Sequence, residues 1–173
     1  NAPVIGIPRM LMFFEQFPLW VAFLSELGYK VVLSDKTNKK LIHKGLQKVL
    51  AETCYPVKVA YGHIINLIEK GVDSIFLPTV IDLEKIREDV NRSYNCPFIQ
   101  GISFMLKPAF EEEVEFLSPE IIMSNSKKLK KQLITIGKEF GKKNDVVNSA
   151  TNAALKAQKE FEKERRARGQ EIL

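Results

Sequence analysis

The chain has 173 residues, 45% of them hydrophobic and 27% charged, with a formal net charge of +5. That length carries one domain with a core of its own, and no apolar run approaches the ~18 residues of a membrane span. The charge excludes a uniformly basic nucleic-acid binder: residues 1–118 hold 13 Lys+Arg against 14 Asp+Glu (net −1), and residues 119–173 hold 13 against 7 (net +6).

The elements follow in chain order. Residues 3–8 (PVIGIP) form a short branched apolar run closed by Pro8, as in a buried strand. Phe17, Trp20, Val21, Leu24 and Leu27 recur on one helical face, and Gly28 stops that helix. Residues 29–34 are the second strand. Asn38 can cap a helix whose stripe is Leu41, Ile42, Leu46, Val49 and Leu50. Pro56 opens another, with Val57, Ala60, Tyr61, Ile64, Leu67 and Ile68 on one side and Gly71 at its end.

Residues 73–78 are the third strand, 79–96 read as polar and irregular, and Pro97 starts a short helix through about Leu106. Residues 114–119 are the fourth strand. Strands alternating with helices predict a three-layer, Rossmann-like α/β fold over residues 3–118, with a mostly parallel sheet in the order 2-1-3-4. Residues 119–173 read as a basic helical extension leading into a second domain. Its helices, about 125–141 and 144–168, carry the stripes Leu129, Leu133, Ile136, Phe140 and Val147, Ala150, Ala154, Ala157, Phe161.

The chain has two cysteines. No secretory signal precedes the first strand, so a cytoplasmic location and reduced thiols are expected, free or metal-bound. Free cysteines are usually small buried hydrophobes. Here Cys54 precedes Pro56 and Cys96 precedes Pro97, so each falls at or near a helix N-terminus, where unpaired N–H groups favour the metal-binding thiolate. Their separation matches no local zinc motif, and two thiolates do not close a zinc or iron–sulfur site.

Arg9 ends the first strand and Asp35 the second, at the carboxyl edge where open parallel sheets bind ligands. The Arg9 fork suits a phosphate or carboxylate; a surface ion pair is the plainer alternative. His63 is either a satisfied structural residue or a donor near the crevice. Lys58 either balances an anionic group beside Cys54 or is solvated. Thr37 and Asn38 read as turn and cap. The carboxylates of 111–115 (EEEVE) read as a solvated edge, and the basic runs KKLKK and KERRAR as helix surface without the aromatics that nucleic acid binding favours.

IGIPRML, FFEQFPLWVAFLSELGYKVVLSDKTNKK, ETCYPVKVAYGH, GVDSIFLP and YNCPFIQGI together resemble the domain of the CoA-substrate-specific enzyme activases, relatives of the activator and dehydratase components of 2-hydroxyacyl-CoA dehydratases. The resemblance implies an α/β fold, a cysteine-ligated four-iron four-sulfur cluster held in part by Cys54 and Cys96, and ATP-driven low-potential electron transfer in anaerobic bacteria. It implies ATPase activase modules and other domains of a longer parent as partners, and a CoA thioester as a possible ligand. No P-loop or other Gly-rich nucleotide cradle occurs in the chain. The chain opens on Asn-Ala rather than Met, and is expected to be an excised piece holding an incomplete cluster or none. The alternative is a non-catalytic α/β docking domain between activase modules. Neither a nucleic acid nor a membrane partner is expected.

Overall fold

The structure, a computed structural model, describes residues 2–84, 89, 93–110 and 112–172. The main sheet contains β1 (Val4–Ile7), β2 (Lys30–Leu33), β3 (Ser74–Phe76) and β5 (Glu115–Leu117) in the order β2-β1-β3-β5, all parallel. The predicted fold class and strand order are those observed. From β1 the chain first runs outward through α1 (Phe13–Glu26) to β2. It then returns across β1 through α2 (Lys39–Lys48) and α3 (Tyr55–Glu69) to β3. Right-handed crossovers in opposite directions place the helices on opposite faces.

Side-chain alternation along the strands feeds two cores. Ile5, Ile7 and Phe76 meet α1, α6 (Ser126–Glu139) and α7 (Asn144–Ile172) on one face. Ile75 and Leu77 meet α3 and α5 (Ile102–Phe110) on the other. The 119–173 extension thus contributes Leu129, Leu133, Ile136, Val147, Ala150 and Ala154 to the same core as β1 and α1.

Three stripes differ in detail from expectation. Helix α1 buries Leu19 and Phe23 as well as Trp20 and Leu24, because it lies between the sheet and α7. Helix α2 stops at Lys48 and turns Leu41 and Gly45 inward, leaving Leu46 and Leu50 exposed, because its glycine lets it close directly on α3. Phe161, expected in the α7 seam, is only half-buried, and Arg165 stands over its ring.

The stretch 79–96 is not uniformly irregular. Strand β4 (Thr79–Asp82) pairs parallel with β6 (Glu120–Ile122). It continues the β3–β5 ladder, since Leu77 N–H donates to the Leu117 carbonyl and Thr79 N–H to the Pro119 carbonyl, both at 2.9 Å. Pro78 falls between those donors, so its missing N–H faces away from the partner strand. Residues 93–95 return antiparallel along β4; residues 85–88 and 90–92 of the same stretch lie outside the described residues. The helix expected from Pro97 to Leu106 is two: α4 (Pro97–Gln100), then α5 after Gly101.

Candidate functional site at the carboxyl edge of the sheet

The two cysteines are the N-caps of α3 and α4. Cys54 and Cys96 have extended backbones (φ/ψ −66/152 and −53/138), each with proline in the first turn that follows. Their carbonyls accept the first helical N–H groups: those of Val57 and Lys58 for Cys54, and of Ile99 and Gln100 for Cys96. Neither thiol caps its own helix, and both are exposed. They are not the buried apolar thiols of the plainer reading. Among the described residues, no group of three or more His, Cys, Asp and Glu side chains is placed to hold a metal ion. Lys58, in the first turn of α3, bonds Glu52 at 2.6 Å. Of the 111–115 carboxylates, Glu113 pairs with Lys48 at 3.1 Å, and Glu111 lies outside the described residues.

His63 belongs to a different group. It stands nine positions beyond Cys54, about 13 Å along the axis of α3. It is fully buried, with Nδ1 2.8 Å from Ser34 Oγ and Nε2 3.1 Å from Thr37 Oγ1. Ser34 Oγ accepts the Arg9 backbone N–H at 2.8 Å. The buried Ser34 hydroxyl needs an acceptor for its own proton, and His63 Nδ1 is the one beside it. The imidazole proton then resides on Nε2 and is donated to Thr37, which is exposed. That arrangement turns the Thr37 hydroxyl proton outward. Burial, with Arg9 nearby, holds the His63 pKa down at about 4, against a weaker upward pull from Asp35. The ring is therefore neutral at pH 7.

Arg9 closes β1. Its guanidinium carbon lies 5.9 Å from the Phe13 ring centroid, and its Nε is buried without a hydrogen-bond partner among the described residues. The Asp35 carboxylate is held below its usual range by hydrogen bonds from Lys70 (2.7 Å) and Asn66 (3.1 Å), and less by the charge of Arg9. Ser34, Thr37, His63 and the Arg9 backbone thus meet at the ends of β1 and β2, with the Arg9 charge acting on both His63 and Asp35, while Cys54 and Cys96 mark the starts of α3 and α4. Ser34 and Thr37 were not read as site residues. The one available signal was a small polar residue ending an otherwise apolar strand.

An apolar cavity of about 40 Å³ opens between the ends of β1 and β3, lined by Ile7, Met10, Leu11, Trp20, Pro78 and Ile102 among others. Leu11 there has φ +47°, a left-handed backbone that L-residues adopt at a cost.

A parallel sheet wound in both directions, with its polar group and cavity beyond the carboxyl ends, defines a three-layer, Rossmann-like α/β domain. Residues 4–173 match the family described as the CoA enzyme activase uncharacterised domain, and the chain belongs to that family. No curated protein and no solved structure matches the chain. No helix among the described residues is long and apolar enough to cross a membrane.

Proposed function

We propose that this domain serves an acyl-CoA dehydratase-type activase by supplying Cys54 and Cys96 as ligands to a four-iron four-sulfur cluster. One observation carries this reading: the chain's only two cysteines are both exposed helix N-caps, free of disulfide, whose thiols cap neither helix. The donor set fits part of such a cluster. Two thiolates satisfy two of four irons, so the other ligands come from outside this chain. Such a cluster supplies single electrons at low potential. The chain's own part is to present two exposed thiols at the starts of α3 and α4, with Lys58 one turn from Cys54. ATP hydrolysis belongs to partner activase modules, and the electron's destination is CoA-thioester chemistry in a partner enzyme.

A second reading, a docking unit with no metal of its own, is favoured by aromatic side chains exposed beside both cysteines: Tyr55 at 58%, Tyr94 at 55% and Phe98 at 41%. Iron and sulfide analysis separates the two. The protein carrying this domain is prepared without oxygen with its partner modules, as wild type and as Cys54→Ser and Cys96→Ser. Loss of iron in either variant supports the ligand role; full iron content in both leaves the docking unit.

A further inference from the structure

We propose that Arg9 and Thr37, held in place by Ser34 and His63, form a binding site for a phosphate group at the carboxyl edge of β1 and β2. The inference does not depend on iron or on the cysteines.

Four observations carry it. The first is the state of Arg9. Its Nε is buried and unpartnered, and it has no ion pair among the described residues. A guanidinium half-withdrawn from water calls for an anion with several acceptor oxygens. The second is the local charge. Arg9 and Lys70 face one carboxylate, Asp35, which Lys70 and Asn66 already occupy, and His63 is neutral. One positive charge is left over.

The third is the hydroxyl. Buried Ser34 and buried His63 leave Thr37 an acceptor towards the protein and a donor towards solvent. A core residue satisfying itself would not need to end its chain of bonds on an exposed threonine. The fourth is what surrounds Thr37. The next residue, Asn38, caps the ten-residue helix α2, its side chain accepting from Leu41 N–H at 3.0 Å. The free N–H groups of that first turn add to the donors. Lys36, Lys39 and Lys40 stand exposed alongside. Several donors and an excess of positive charge suit a dianionic phosphate better than a single carboxylate. His63 and Ser34 act as positioning residues, since they reach the anion only through Thr37 and the Arg9 backbone.

The test is a titration of the isotope-labelled chain with inorganic phosphate at low ionic strength, followed by amide chemical shifts. Saturable one-to-one shifts confined to residues 9–10, 34–41 and 63 are expected. Arg9→Lys keeps the charge but loses the fork, and Thr37→Val loses the donor. Because Thr37→Val also removes the His63 Nε2 acceptor, the amide spectrum of the free variant is compared with wild type to show that it is folded. Each should weaken binding roughly 10- to 100-fold. His63→Gln should weaken it less and alter the Thr37 amide shift in the free protein. A parallel titration with phenyl phosphate identifies the source. Tighter binding than inorganic phosphate assigns an ester-borne group, and equal or weaker binding assigns the free ion. Absence of saturable binding, shifts elsewhere on the chain, or unchanged affinity in Arg9→Lys or in Thr37→Val overturns the site.

Discussion

Gly45 of α2 and Gly62 of α3 are in backbone contact: a Cβ on Gly45 would stand 2.6 Å from the Gly62 amide nitrogen, and one on Gly62 would stand 2.2 Å from the Leu41 carbonyl oxygen. The obstacles are main chain, so no rotamer change relieves them. Gly62→Ala should push the two helices apart, costing about 2–3 kcal/mol and lowering Tm by roughly 5–10 °C. The neighbouring His63 should lose register with Ser34. Gly169, near the end of α7, has nothing within 4 Å of a built Cβ, so Gly169→Ala should leave Tm unchanged or slightly raised. Calorimetry of both variants makes the comparison; equal losses would disprove the close crossing.

Acid should weaken the fold through His63. The folded ring takes its proton near pH 4, whereas an unfolded histidine takes it near 6.5. Between those values the unfolded chain binds more protons, so stability rises with pH across the window and is lost on acidification. The His63 share is about 3 kcal/mol when complete. Urea midpoints from pH 7 to 4 should fall, and His63→Gln should flatten that fall. A wild-type midpoint indifferent to pH above 4 would contradict the buried neutral ring.

Asp82 ties the sheet extension together. Its carboxylate accepts the Met123 N–H at 2.9 Å, the Ser124 N–H at 3.1 Å and the Ser124 hydroxyl at 2.6 Å. Asp82→Ala removes three acceptor contacts at the end of β4 and should cost about 1–3 kcal/mol. Hydrogen exchange at Met123 and Ser124 should accelerate strongly, while Ile75 in β3 keeps its protection. Unchanged exchange at 123 and 124 would show that the carboxylate does not hold that end.

Both thiols should react in the native state. Cys54 and Cys96 are exposed and free of disulfide, and neither thiol caps its helix. Metal-free protein should therefore titrate two equivalents with an aromatic disulfide reagent without denaturant, and one in each single Cys→Ser variant. A thiol that reacts only after unfolding would mean its exposure is wrong.

The sheet was legible because buried parallel strands read as branched apolar runs between turn signals. Val4–Ile7, Lys30–Leu33, Ser74–Phe76 and Glu115–Leu117 all lie inside the expected segments. The helix caps at Asn38, Cys54 and Cys96 were legible too, from proline and asparagine placement. Strands β4 and β6 were not. Four and three residues hold too little periodicity, and their evidence is a pairing between positions about forty apart. The inward face of α2 was misread because its determinant is Gly45, a residue with no hydrophobic signal. The centre of the polar site was hidden in the same way. Arg9 and His63 are conspicuous in a sequence, whereas the hydroxyls of Ser34 and Thr37 acquire meaning only when α3 lies across β2.

Helices α1 and α7 meet over great sequence distance: Gln158 donates to the Glu15 carbonyl at 2.9 Å across 143 positions, and Arg165 pairs with the Glu15 carboxylate across 150. At 5–20 residues per second, a ribosome delivers α1 roughly 6–25 s before the buried Ala154 that packs with it. For that interval Leu19, Phe23 and Leu24 are a sticky surface on a nascent chain. Chaperones that recognise apolar helices should engage it then and let go once α7 has emerged, so slowing translation between residues 26 and 154 would lengthen the period at risk of aggregation.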